Sequence, residues 1–481
     1  MIRDFTLSHR ATAVVRSSLT LLLVSAVATV VVVTDLLAQA TIVAVGGGLV
    51  AFSPQLMVQV RRFVTRTNRF DVAWILALSA TMSVDTLSTD QVFSGALGTA
   101  QLLRLALVVS ALLIVLPDLR SRLIAHRSGL RLPGLLRVYA LFIAFAALST
   151  LWSRGMLATA GKVLELGVAF AIVVAVASQP EARFLLRKLF TTTLVFMATL
   201  LVTVFLGYLV SPEVFSKYIA MAGRSVLDGG LLPVSSNAVA RFGSFVALVS
   251  LAMAMQAKVS RSARLMMLAS AAAFGAFPFL AEGRTGVVAL LVGVVALVLL
   301  RWRLPALIGV AIVLVAVTPI VAEPAWQYFL RGQTEEQFGG LSGRLLWWNA
   351  ALEVVRVEPW LGFGYGVGGR VAFSSIGNDL TSGLHNGALE TLAGVGVVGA
   401  LVWLVVVLTL SGQAVIALFR QQDAALNIVV VPLVLATLLS SGMGGWMSAE
   451  LALFLLLLAW HSTTRSGSDA IGPCGASRKS G

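Results

Sequence analysis

The residues with the most chemistry to offer are four arginines, Arg224, Arg241, Arg284 and Arg344, and one histidine, His385. Arg284 sits in Glu282-Gly-Arg-Thr-Gly286, a hinge between two apolar runs that is too short to be a domain. Arg241 follows Asn237 by four residues, so the two side chains share a helix face. Arg224 lies in the polar stretch 211–233 ahead of that helix, and Arg344 stands just before Trp347-Trp348. An arginine near hydrocarbon is costly; it either pairs with a neighbouring helix or faces an anion in a cavity. Both readings stand for Arg241 and Arg284. If the partner is an anion, a phosphate suits it, because a guanidinium fork meets phosphate oxygens two at a time. His385, followed by Asn386 where an apolar run begins, is either a helix cap or a group that moves a proton near neutral pH.

These residues are carried by a very apolar chain. Of its 481 residues 58% are hydrophobic and 12% charged, whereas soluble domains carry about 25% charged residues. The fold class is therefore an all-α polytopic membrane protein. Apolar runs long enough to span a bilayer lie near 13–33, 37–60, 71–84, 93–117, 138–153, 156–177, 189–210, 234–257, 264–281, 285–300, 304–322, 385–411, 425–445 and 447–461. That gives about 12–14 transmembrane helices, the runs at 71–84, 138–153 and 447–461 being the shortest. The net charge of +14 would point to nucleic acid in a soluble protein. Here it follows from the excess of Lys and Arg in cytoplasmic loops, and no nucleic-acid partner is expected. With the N-terminus in the cytoplasm, 24 of the 35 Lys and Arg fall on the cytoplasmic side, eight outside and three within spans. Both termini are then cytoplasmic, with Arg3 to Arg16 a retained tail, and the long segment 323–384 is extracytoplasmic.

Within that segment Ser342 to Val357 predicts a surface helix with Leu345, Trp348, Leu352 and Val355 as its apolar stripe, ended by Glu358-Pro359. Gly364, Gly366 and Gly369 match G-x-G-x-x-G, but no strand precedes them and no acidic residue follows at the required distance. They read as a tight turn back to the membrane. The single cysteine, Cys474, excludes an internal disulfide and a cysteine metal cluster. Glu335-Glu336 is too isolated to hold a metal, so neither metal nor cofactor is expected. The chain divides into N-terminal helices over 1–220, a core over 221–411, C-terminal helices over 412–461 and a disordered cytoplasmic tail over 462–481.

Three motifs stand in a fixed order around the long loop. They are Glu282-Gly-Arg-Thr-Gly286; Gly343-Arg344 with Trp348 and Glu358-Pro-Trp-Leu-Gly-Phe-Gly364; and His385-Asn386 followed by Gly396 and Gly399. Asn237-Ala238 is a weaker element upstream. Over roughly 220–410 the chain resembles the O-antigen ligase and O-antigen polymerase superfamily of bacterial membrane glycosyltransferases. Ala400 stands where the ligases tend to have Gly, Thr or Val, which tilts the resemblance towards the polymerases. The resemblance implies a GT-C-like helical fold with short helices in one large extracytoplasmic loop, in the bacterial cytoplasmic membrane. It implies a metal-independent, inverting transfer of a glycan from a polyprenyl-diphosphate carrier to a glycan or lipid-glycan acceptor. His385, Arg284 and Arg344 would be catalytic; Arg224, Arg241, Asn237, Asn386 and Trp348 would bind substrate. The competing class is a lipid-linked glycan flippase or other secondary transporter, with which the intramembrane Arg104, Lys162, Glu165 and Arg241 are compatible. Transporters show paired halves and broken helices at the midplane, and the hydropathy pattern shows neither.

Overall fold

The computed structural model describes residues 67–83, 87–125, 132, 134–219, 224–256, 259–301, 326, 330, 332–339, 343–377, 383–440, 442–444 and 447–468. The spans predicted near 13–33, 37–60 and 304–322 lie outside them. The described chain is helical: α1 (Arg69–Ala80), α2 (Thr89–Phe93), α3 (Thr99–Ala125), α4 (Gly134–Leu148), α5 (Met156–Ala177) and α6 (Ala182–Val210). A two-stranded antiparallel hairpin follows, β1 (Ser216–Ile219) and β2 (Arg224–Leu227). Then come α7 (Ser236–Ala254), α8 (Arg261–Leu280), α9 (Arg284–Arg301), α10 (Glu335–Gly339), α11 (Arg344–Val357), α12 (Gly368–Ser375), α13 (Gly387–Phe419), α14 (Ala424–Asn427), α15 (Val430–Leu439) and α16 (Ala449–Ser468). Among the described residues seven helices are long and apolar enough to cross a membrane: α3 to α8 and α13. The protein is an all-α polytopic membrane protein.

Helix starts follow local chemistry. Asn68 and Asp71 form a reciprocal capping box on α1, and Ser235, Ser260 and Asn386 cap α7, α8 and α13 with side-chain oxygens, relieving backbone N–H groups that have no partner within the helix. The run predicted at 93–117 corresponds to α3, which starts at Thr99 and continues to Ala125, and the run at 425–445 divides into α14 and α15. α16 continues to Ser468, past the start of the segment read as a tail; 469–481 lie outside the described residues. The hairpin in 211–233 has no counterpart in the sequence reading.

The core is built on α16. Every residue from Leu451 to Trp460 is at most 4% exposed, and α4, α5, α6 and α13 pack around it. A helix apolar on all sides is stable only when enclosed in this way.

The hydropathy predicts one continuous helix over 385–411, yet α13 is broken at Gly396, where φ is 63° and ψ −173°. The break is stitched by the glycine loop between α11 and α12. Phe363 and Gly364 donate their N–H groups to the carbonyls of Ala393 (3.0 Å) and Gly394 (2.8 Å), while Val397 donates to the Pro359 carbonyl at 2.8 Å. Irregular backbone at membrane depth is tolerated where protein satisfies it in this manner. Gly362, Gly364 and Gly366 all have positive φ, so the tight turn predicted for this loop is present.

α11 docks by a face the sequence reading did not choose. Ala350, Ala351 and Val354 are buried, whereas Leu345 and Leu352 are each 42% exposed. Two alanines let the helix approach α12 and α13 closely, and Trp347 fills the remaining space against Phe373. The leucine stripe points away from this contact and is left for the membrane interface.

Candidate functional site

His385 sits on a tightly specified piece of backbone. Leu384 is fully buried; its N–H donates to Glu390 Oε1 at 2.6 Å, and its carbonyl accepts from Trp348 Nε1 at 3.0 Å. On the other side the Gly387 N–H donates to the Ser440 carbonyl at 2.8 Å. Between these anchors His385 adopts φ 52°, the left-handed region that a side chain makes costly and that surrounding structure must enforce. Its ring lies on Trp347, with centroids 5.7 Å apart and planes inclined by 34°. Asn386 Oδ1 accepts from the Leu389 N–H at 3.0 Å, so the cap of α13 is Asn386, and His385 is the half-buried corner before it.

Two cations face this corner. Arg344, the first residue of α11, donates from Nη1 to the Leu439 carbonyl at 2.8 Å, at the end of α15. Arg241, on α7, donates from Nε to Glu450 Oε1 at 2.9 Å; the side chains are 12% and 4% exposed. Burial first, then Arg344, then Arg241 pull the His385 imidazole down from 6.5 to about 4. Each of these disfavours a positive imidazolium, and the ring is neutral at neutral pH.

Arg284 is positioned by glycines. A Cβ on Gly283 would lie 2.1 Å from Ala240 Cβ, and one on Gly286 2.6 Å from the Ala240 carbonyl carbon. Only with glycine at both positions does the start of α9 meet the first turns of α7, which carry Asn237 and Arg241. From there Arg284 Nη2 donates to Gln333 Oε1 (2.8 Å) and to the Leu330 carbonyl (3.1 Å), tying α9 to the loop. The structure thus gathers His385, Arg344, Arg241, Trp348 and Asn386, and sets Arg284 and Asn237 on the flank of α7. Arg224 opens β2, opposite Ile219.

Three residues of this arrangement escaped the sequence reading. Trp347 stands there only as a neighbour of Arg344, and Glu390 and Glu450 not at all. The available signal was a carboxylate inside an apolar run, which is expensive without a partner. Chemically, the cluster offers a neutral proton acceptor beside guanidinium groups able to take an oxyanion.

A family model described as O-antigen ligase matches residues 268–404, the span from α8 to the second half of α13. None of the curated proteins compared with the chain matches it.

Proposed function

The chain carries the O-antigen ligase domain of the ligase/polymerase superfamily, and on that premise we propose that it moves a glycan from a polyprenyl-diphosphate carrier to an acceptor hydroxyl. The observation that carries this reading is a strained His385 within electrostatic reach of Arg344 and Arg241. The diphosphate of the donor lies against Arg344, with Arg284 and Arg241 in support and Asn237, Asn386, Trp348 and Arg224 around the substrates. The acceptor oxygen attacks the anomeric carbon as His385 takes its proton. The carbon–oxygen bond to the diphosphate breaks, and the diphosphate leaves with the bonding electrons. One displacement inverts the anomeric centre. Guanidinium groups meet the charge that develops on the leaving group, so the reaction is metal-independent in this reading. The face concerned is the extracytoplasmic side of the bacterial cytoplasmic membrane.

The break in α13 favours a second reading, a lipid-linked glycan flippase, because broken helices line the sites of transporters. Purified protein in liposomes without any ion gradient, supplied with a polyprenyl-diphosphate oligosaccharide and an acceptor, separates the two. Glycan transfer with release of the free carrier diphosphate is expected, unaffected by a chelator. His385→Ala should lower its rate by about 10²–10⁴-fold. Movement of the donor between leaflets without transfer, or full-rate transfer by correctly inserted His385→Ala protein, overturns the proposal.

A further inference from the structure

A chamber lined by none of the residues of the His385 cluster lies elsewhere in the structure. Between the first turns of α3 and α5, under α12, is a cavity of about 400 Å³ bordered by Arg104, Lys162, Glu165 and Arg370 and by the leucines Leu102 and Leu157. Volumes of this size hold small ligands. Arg104 and Glu165 form an ion pair at 2.5 Å, and Lys162 and Arg370 add two more cations to the lining. Glu390 on α13 acts electrostatically on both, and with it counted three cations still stand against two carboxylates. Arg370 Nη1 donates to the Leu87 carbonyl at 2.8 Å, fixing its guanidinium as the roof, and Lys162 donates to the Gly366 carbonyl.

The apolar side of the chamber is of a different kind. Leu102 and Leu157 are 51% and 55% exposed, on helices that cross the membrane, where exposed leucines meet acyl chains. The Arg104–Glu165 pair is not sealed on this side by apolar packing. It borders an open volume with cations above and leucines at the rim.

We propose that the chamber between α3 and α5 is a binding site for an amphiphile with an anionic headgroup, a lipid of the leaflet on the loop side. The headgroup phosphate lies under Arg370 and Lys162, and the first methylenes of its tail lie along Leu102 and Leu157. The site is separate from the diphosphate-facing cluster at His385 and binds lipid whether or not glycan is transferred.

The test uses the full-length protein in detergent, titrated with phosphatidylglycerol, phosphatidylcholine or inorganic phosphate, with bound lipid counted by native mass spectrometry. One phosphatidylglycerol per chain is expected to bind in preference to phosphatidylcholine. Arg370→Gln should weaken it about tenfold, the loss of one charge-assisted contact, and Leu102→Trp should exclude it by filling the rim. Each variant carries the test alone, so a failure of one to fold leaves the other decisive. Wild-type lipid binding by a folded variant, or equal binding of phosphatidylcholine, overturns the site. Displacement of the lipid by inorganic phosphate at equal concentration overturns the lipid as occupant and leaves a free-anion site.

Discussion

At the scale of single residues, His385 is defined by what surrounds it. A proton acceptor with a pKa near 4 is weak, but the cations that depress it are those a diphosphate would neutralise. A bound donor should therefore raise it above about 4, but not back to its ordinary value of about 6.5, because burial is the larger cause and remains. For kcat/KM, which reports the free protein, the profile should stay flat from pH 8 down to about 5. For kcat, which reports the loaded protein, the acid limb should appear at a higher pH than in kcat/KM. Identical limbs in both profiles would remove the donor from the neighbourhood of His385. Stability follows the same shift. The folded state binds fewer protons than the unfolded chain between about 4 and 6.5, so this contribution is complete above 6.5 and is lost as the pH falls towards 4. The sequence made His385 and Asn386 legible because a polar pair at the start of an apolar run is conspicuous. It could not show that Asn386 alone is the cap, since that depends on which side chain reaches the Leu389 N–H.

At the scale of elements, the break in α13 organises the loop side of the molecule. Hydropathy is blind to it, because the apolar run continues through Gly396 and a broken helix leaves the same trace as a whole one. What fixes the break is a backbone exchange with the segment 359–364, over thirty residues away in sequence, which no local pattern encodes. Gly396→Ala should undo it. The new Cβ would lie 2.3 Å from the Trp360 carbonyl carbon and oxygen, and a left-handed φ costs an L-residue roughly 1–2 kcal/mol before any clash. The expected result is a lower thermal midpoint in detergent and new proteolytic cleavage near Trp360. Gly412→Ala in the same helix is the control: its Cβ meets nothing within 4 Å, and alanine favours a helix by roughly 0.5–1 kcal/mol over glycine. If both variants behave alike, the break is not held by the loop. α11 teaches a related lesson. Its leucine stripe was visible, but alanines at 350 and 351 carry little hydrophobic signal, although their small size is what lets the helix dock.

At the scale of the whole molecule, membrane class and the seven long apolar helices among the described residues were readable, because hydrocarbon imposes length and composition on every crossing helix. The assembly of those helices was not, and the Arg241–Glu450 pair shows why. Arg241 stands out in its own helix, with pairing and anion binding both open to it. Its partner lies on α16, 209 positions along the chain, and only the packing of α7 near the central helix brings them together. The pair therefore has two separable duties: neutralising a buried cation, and placing a positive charge near His385. Glu450→Gln leaves Arg241 charged and nearly buried without a carboxylate, a loss of roughly 3–5 kcal/mol, read as a lower thermal midpoint. The double variant Arg241→Met with Glu450→Leu removes both charges and should recover most of that stability, because a packed apolar pair substitutes well for a buried ionic one. Transfer should not recover with it. A cation aimed at developing negative charge is worth about 10²-fold or more in rate, and the double variant has lost one of the two that face His385. Should stability and transfer return together, Arg241 serves the bundle alone, and Arg344 and Arg284 are left to hold the diphosphate.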